Sequence, residues 1–169
     1  MKKKWQFQFG MRLLLIVMAV VAVGITATLA LKSQADAKAS AFRNIESHGG
    51  VFGYNLSSNS LYRRSMSLLG VEERAFWNTN YFIFGPNCDG YDYQNPLDDD
   101  QMASISASLT CFQQLEELGF EGCNHVTDTG IEALPLLPNL TTLDVRGTKV
   151  SDRAIEKLEQ RYPNAEIRR

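Results

Sequence analysis

The chain has 169 residues, with 17 Lys+Arg against 19 Asp+Glu and a formal net charge of −2. That length suits one ordinary domain with short appendages. The acidic balance argues against nucleic-acid binding, which needs a strong basic excess, and a 44% hydrophobic fraction excludes a disordered or collagen-like chain.

The charge is unevenly spread. Residues 1–31 hold Lys2, Lys3, Lys4 and Arg12 and no acid, which leaves 13 of the 17 bases against all 19 acids in residues 32–169. Leu13 to Leu31 (LLLIVMAVVAVGITATLAL) runs 19 residues without a charge. At ~1.5 Å per residue such a helix spans roughly 28 Å, close to the ~30 Å hydrocarbon core of a bilayer. A helix satisfies its own backbone groups, as lipid demands, and Thr26 and Thr28 can bond back to their own turns. The run is longer than the ~7–15 apolar residues of a cleaved signal. The small-residue sites Ala35-Asp36-Ala37 and Ala37-Lys38-Ala39 lie past its end, beyond Lys32. The expectation is an uncleaved anchor with a basic cytoplasmic tail over 1–12 and a transmembrane helix over 13–31. By the positive-inside rule, residues 32–169 then lie outside the cytoplasm in a single-pass, N-in/C-out topology. Trp5, Phe7 and Phe9 suit the headgroup level.

Residues 32–48 are Ala-rich and carry Phe42 and Ile45, which predicts a juxtamembrane helix with a weak apolar stripe, stopped by Gly49-Gly50. Val51 to Tyr54 reads as extended and Asn55 to Ser60 as a polar turn. Leu61 to Leu69 reads as a short helix ending at Gly70, with Leu61, Ser65, Leu68 and Leu69 on one side. Phe76 to Phe84 suits a strand with Phe82 and Phe84 on one face, broken by Gly85-Pro86-Asn87. Cys88 to Asp100 (CDGYDYQNPLDDD) invites a calcium loop, but the spacing of Asp89, Asp92, Asp98, Asp99 and Asp100 does not match the EF-hand pattern D-x-[DN]-x-[DN]-G. A solvated acidic loop is expected, with no metal site. Three cysteines, Cys88, Cys111 and Cys123, leave at least one unpaired; Cys88–Cys111 is a possible disulfide.

The last third repeats itself. Val126 to Leu134 (VTDTGIEAL) matches Val150 to Leu158 (VSDRAIEKL), and Leu97 to Ile105 (LDDDQMASI) fits the same frame more loosely. Upstream, Leu115-x-x-Leu118-x-Phe120-x-x-Cys123 aligns with Leu140-x-x-Leu143-x-Val145-x-x-Thr148. A repeat of 24 or 25 residues is one supersecondary unit, too small to bury its own apolar face, so it must stack on its neighbours. In each unit a short strand alternates its side chains and a helix returns over the same core. The predicted repeat core is Leu115, Leu118, Phe120, Cys123, Val126, Ile131, Leu134, Leu140, Leu143, Val145, Val150, Ile155 and Leu158. Thr127-Asp128 and Ser151-Asp152 supply helix caps. Residues 49–96 are assigned as an N-terminal capping region. Residues 97–169 are assigned as repeats, closed by a last turn with Ile167 inward and Arg168-Arg169 solvated.

This pattern resembles the leucine-rich repeat, and the Cys at its ninth position resembles the cysteine-containing subclass. The whole chain is similar to small bacterial membrane proteins with a basic tail, one anchor and a few terminal repeats. Gly49, Gly50, Val51, Phe52, Gly53, Tyr54 and then Arg64 to Gly70 correspond to that family's upstream elements. The insert Tyr81 to Asp98 departs from it. The resemblance implies an α/β fold: a short leucine-rich repeat solenoid with an N-terminal α+β cap, preceded by one transmembrane helix. It implies no particular activity.

Strand residues that do not enter the core form the concave face, the usual binding surface of such folds: Glu117, Gly119, Glu121, Thr142, Asp144 and Arg146. Gly119 is expected to leave a dent between two carboxylates. Hydrolase, kinase, zinc-protease and dinucleotide-binding motifs are absent, so no catalytic residues and no cofactor are expected. Cys123 and His125 form a poor nucleophile–base pair, because Cys123 faces the core and His125 faces solvent. The function expected is a non-enzymatic, membrane-tethered protein-interaction module at the cell envelope, with a protein partner. The alternative is a structural assembly subunit that makes its contact through the aromatic insert 77–93, with Trp77, Tyr81 and Phe82 exposed.

Overall fold

A computed structural model describes residues 2–53, 55–56, 60–86 and 96–169. Expectations for Tyr54, Cys88, Asp89, Asp92 and Tyr93 lie outside the described residues.

The first element is one unbroken helix, α1 (Lys2–Ser47), of 46 residues. From Met11 onward it is long and apolar enough to cross a membrane, with a mean hydropathy of 2.7 in its most apolar stretch, none of it buried. Thr26 and Thr28 donate their hydroxyls to the carbonyls of Ala22 and Gly24, at 2.9 Å each. The last turns change character. Phe42 and Ile45 are fully buried, beside Ala41. The Phe42 ring is surrounded by Phe52, Trp77, Phe82 and Phe112, at centroid distances of 4.9, 5.6, 6.0 and 4.7 Å. The juxtamembrane stripe is therefore a wall of the core. Gly49 ends the helix with φ 77°, which a side chain disfavours.

Past α1 the chain forms β1 (Asn55–Leu56), α2 (Ser60–Leu68), a 3-10 turn (Glu73–Phe76), β2 (Trp77–Asn78) and β3 (Tyr81–Ile83). The turn is held to α1 by the ion pairs Arg43–Glu72 and Arg74–Glu46. Three expectations are corrected here. The single strand over Phe76 to Phe84 is split in two, because the Thr79 hydroxyl donates to the Tyr81 carbonyl at 2.8 Å and accepts its N–H at 3.3 Å, bending the chain. The first piece, β2, pairs antiparallel with β1, so Asn55 and Leu56 are strand and not turn. In α2 it is Met66 that is buried, while Leu68 and Leu69 face outward.

The remaining elements are α3 (Asp99–Leu109), β4 (Glu117–Gly119), α4 (Asp128–Glu132), β5 (Thr142–Asp144), α5 (Asp152–Arg161) and β6 (Glu166–Arg168). Strands β3, β4, β5 and β6 form one parallel sheet in sequence order, with α3, α4 and α5 as the intervening connections. The register aligns Phe82, Leu118, Leu143 and Ile167 in one row. The first three are buried and Ile167 is half-buried against the core. Because β3 is the first strand of this sheet, the sheet begins inside the region assigned from sequence as a separate cap.

Leu115, Phe120, Cys123, Val126, Ile131, Leu134, Leu140, Val145, Ile155 and Leu158 are buried in the same core as this row, and Val150 is half-buried against it. Met102, Ile105 and Leu109 of α3 complete it on the side of α1. Asn44 of α1 donates to the Ser104 carbonyl at 3.1 Å and to the Ser108 hydroxyl at 2.8 Å, tying α1 to α3.

The acidic segment is not a solvated loop at its end. Asp98 caps α3, accepting the Gln101 N–H at 2.9 Å, and Gln101 returns a bond to the Asp98 backbone. Asp99 reaches forward to the next helix start, accepting from Thr127 N at 2.8 Å, Thr127 Oγ1 at 2.6 Å and Gly130 N at 3.1 Å. Asp128 does the same one unit on, accepting from Ser151 N and Ser151 Oγ at 2.6 Å each. Asp152 ends the series by pairing with Arg169 at 3.2 Å. Thr127 and Ser151 meanwhile cap their own helices.

Candidate functional site

Side chains alternate along a strand, so the residues flanking the inward row face the other way. Two outward rows result: Tyr81, Glu117, Thr142 and Glu166, then Ile83, Gly119, Asp144 and Arg168. Glu121 and Arg146 follow just past the strand ends. The structure brings together all six residues singled out from sequence. Glu117, Gly119, Glu121, Thr142, Asp144 and Arg146 line one depression of about 220 Å³, with Ile83, Leu118 and Arg168.

The electrostatics of this face are mostly closed on themselves. Arg146 Nε donates to both Asp144 oxygens at 3.0 and 3.1 Å, its Nη2 to Oδ2 at 2.7 Å, and its backbone N–H to Oδ1 at 3.1 Å. The same Nη2 lies 3.2 Å from Glu121. Burial works to raise the Asp144 carboxyl, but the Arg146 hydrogen bonds, with the charges of Arg146 and Arg168, outweigh it and hold Asp144 below the usual carboxylate range. Hydrogen bonding to Asp144, helped by Glu121, holds the Arg146 guanidinium above its ordinary value. Arg168 pairs with Glu166 at 3.1 Å and lowers that carboxyl.

Two expectations change in consequence. Asp144 does not present a carboxylate to a partner, because it is 9% exposed and fully engaged with Arg146. The dent at Gly119 is partly filled by Ile83, whose Cγ2 lies 3.5 Å from where a Gly119 side chain would begin. Glu117 is the carboxylate left exposed on the depression, without an ion pair among the described residues.

Tyr81, Ile83, Glu166 and Arg168 were missed by the sequence reading. The signal was present. Phe82 and Phe84 inward place Tyr81 and Ile83 outward, and Ile167 inward places Glu166 and Arg168 outward.

Elsewhere, His125 is exposed while Cys123 is buried, and Cys111 is half-buried. His48 Nδ1 lies 2.7 Å from the Asn44 carbonyl at the end of α1. Lys38 is half-buried, donates to the Trp77 carbonyl at 2.5 Å, and burial pushes its amine down. Among the described residues no group of three or more His, Cys, Asp or Glu is placed to hold a metal ion. Trp77 packs on Phe42 and Phe52, and Phe82 is fully buried. Of the aromatics expected on the surface, Phe82 is thus in the core, Trp77 is half-buried against it, and Tyr81 faces outward.

Comparison with protein-family models, curated proteins and solved structures found no match to this chain.

Proposed function

We propose that this chain is a membrane-tethered leucine-rich repeat module that recognises a protein partner at the bacterial envelope and carries out no chemistry. In this reading α1 crosses the membrane once with its basic end in the cytoplasm, and residues 97–169 form a short solenoid. The sequential parallel strands, the first three each followed by a helix that starts with a cap and an aspartate, support the solenoid. The observation that carries the binding role is the depression on the outward sheet face, where the free Glu117 carboxylate stands beside the Glu121–Arg146–Asp144 group. A preorganised charged group costs a partner little ordering entropy, and tethering raises the local concentration of nearby membrane proteins. The alternative, an assembly subunit using residues 77–93, draws less support because Phe82 is fully buried and Trp77 is half-buried against the core, while residues 87–93 lie outside the described residues.

The test is crosslinking of the full chain in its native membrane, read by mass spectrometry, against variants chosen to leave the fold intact. Reversing Arg146 would leave Asp144 buried without its partner, so it confounds recognition with stability. Glu117→Lys and Gly119→Ala avoid this. Glu117 is exposed, and a methyl at Gly119 meets Ile83 at an ordinary 3.5 Å contact. A crosslinked protein lost in both variants at unchanged abundance supports the reading. An unchanged partner set retires the depression as a binding site.

A further inference from the structure

We propose that Leu68 and Leu69, at the end of α2, form a second membrane contact, seated in the headgroup layer beside the point where α1 leaves the bilayer. This rests on the reading of residues 13–31 as a membrane span. Leu68 is 85% exposed and Leu69 43% exposed. The apolar residues that flank them are not exposed. Met66 and Val71 are buried in a small cluster with Ala35 and Ala39 of α1 and Ala75. The turn between them is tight: Val71 N donates to the Met66 carbonyl at 3.2 Å, and Gly70 takes φ 75°. The two leucines therefore sit on a short loop whose both ends join the cluster on α1.

That cluster lies at a definite height. Ala35 is four residues beyond Leu31, about 6 Å along the helix axis. The polar layer on each side of the hydrocarbon is ~5–8 Å thick, from the difference between ~30 Å and ~40–45 Å. Ala39, in the same cluster, is about 12 Å beyond Leu31, so Leu68 and Leu69 are held at or just above headgroup depth, next to a helix that has just left lipid. Continuity with that helix identifies the occupant as the lipid surface and not another protein. Among the neighbouring charges, Lys32 pairs with Asp36 at 3.0 Å and Arg63 lies 4.0 Å from Glu73, while Arg64 is exposed and has no ion pair among the described residues, which leaves a basic side chain near the apolar tip. Glu72 is turned away to Arg43. Two points of contact fix the rotation of the domain about α1, and with it the direction in which the outward sheet face points.

The experiment places a photoreactive benzophenone residue at Val20, Leu68 or Leu136 of the full chain in phosphatidylcholine vesicles and reads the adducts by mass spectrometry. Leu136 is 63% exposed and lies beside Tyr162 and Pro163 near β6, at the edge of the sheet opposite β3, on which Phe42 of α1 packs. The expected result is lipid adducts at 20 and 68, with roughly tenfold fewer at 136, the factor set by burying about one leucine in lipid. Adducts at 20 with none at 68 above the level at 136 overturn this contact and leave the span standing. No lipid adduct at 20 overturns the span, and this contact with it. An adduct at 68 to a second copy or another protein overturns it in favour of a protein interface. Leu68 is exposed, so its replacement leaves the core intact in every arm.

Discussion

The Asp99 carboxylate accepts both the backbone N–H and the hydroxyl of Thr127, at 2.8 and 2.6 Å, although the two residues are 28 apart in sequence. Asp128 holds Ser151 in the same way, but Asp99 has a third bond, from Gly130 N at 3.1 Å. The third bond exists because position 130 lacks a side chain. A Cβ there would lie 2.5 Å from Asp99 Oδ1. The corresponding residue in the next unit is Ala154, whose N–H bonds to Ser151.

Asp99→Ala is therefore expected to cost about 2–3 kcal/mol, more than Asp128→Ala, because it leaves more half-buried donors without an acceptor. Gly130→Ala is expected to cost about 1–2 kcal/mol by pushing the carboxylate away. Denaturant unfolding of the full chain in micelles measures all three. A larger loss for Asp128→Ala than for Asp99→Ala would contradict this ordering.

The stability of the fold is expected to fall in acid through Asp144 and Asp128, both of which are held below the ordinary carboxylate value, Asp144 by Arg146 and Asp128 by Ser151. A depressed carboxyl contributes stability that is fully present above its unfolded pKa, about 3.9 for Asp. That contribution drains away as pH drops from there through the lower folded value. Asp144→Asn is expected to lower stability at neutral pH and to flatten the acid limb. A set of unfolding curves from neutral pH down to below the Asp range reads it, and an unchanged acid slope would rule out Asp144 as a contributor.

Phe42→Ala is expected to destabilise the domain by about 3–5 kcal/mol, since it empties a site bounded by four aromatic rings. Limited proteolysis of the membrane-bound chain reports the loss. Cleavage within residues 97–169 should accelerate strongly in the variant and little in Arg64→Ala, which is exposed.

Ser106 is buried, and its hydroxyl has no hydrogen-bond partner among the described residues. Ser106→Ala removes that group and adds helix propensity within α3, so it is expected to be neutral or to stabilise by up to about 1 kcal/mol. A thermal melt of the variant checks the sign.

Much of the last third was legible because its signals are local and repeated. Leu118 and Leu143 point inward because strand alternation leaves them no other choice. Thr127 and Ser151 cap because the residues after them are helical. Phe42 was harder. Its apolar neighbour Ile45 is a weak stripe on an Ala-rich helix, and its four ring partners come from segments 10 to 70 residues away. The split at Thr79 was invisible because a run of aromatics reads as one strand until a side chain bends it. The engagement of Asp144 was likewise hidden. A strand carboxylate two residues before an arginine reads as two free charges, and only the geometry past the strand end folds one onto the other.

The last turns of α1 belong at once to the long apolar helix and to the core, and in the tethered reading proposed above this bears on whether the domain could ever be shed. A protease acting at the small-residue sites ending at Ala37 and Ala39 would carry off Ala35, and a cut after Ala39 would also take Lys38, which bonds the Trp77 carbonyl. Phe42 would then sit at a fraying chain end, no longer held by the turns below it. A released fragment would thus begin life already weakened and open to further digestion. The attached form is the durable one, and detachment would serve as a route to turnover, not to a circulating product.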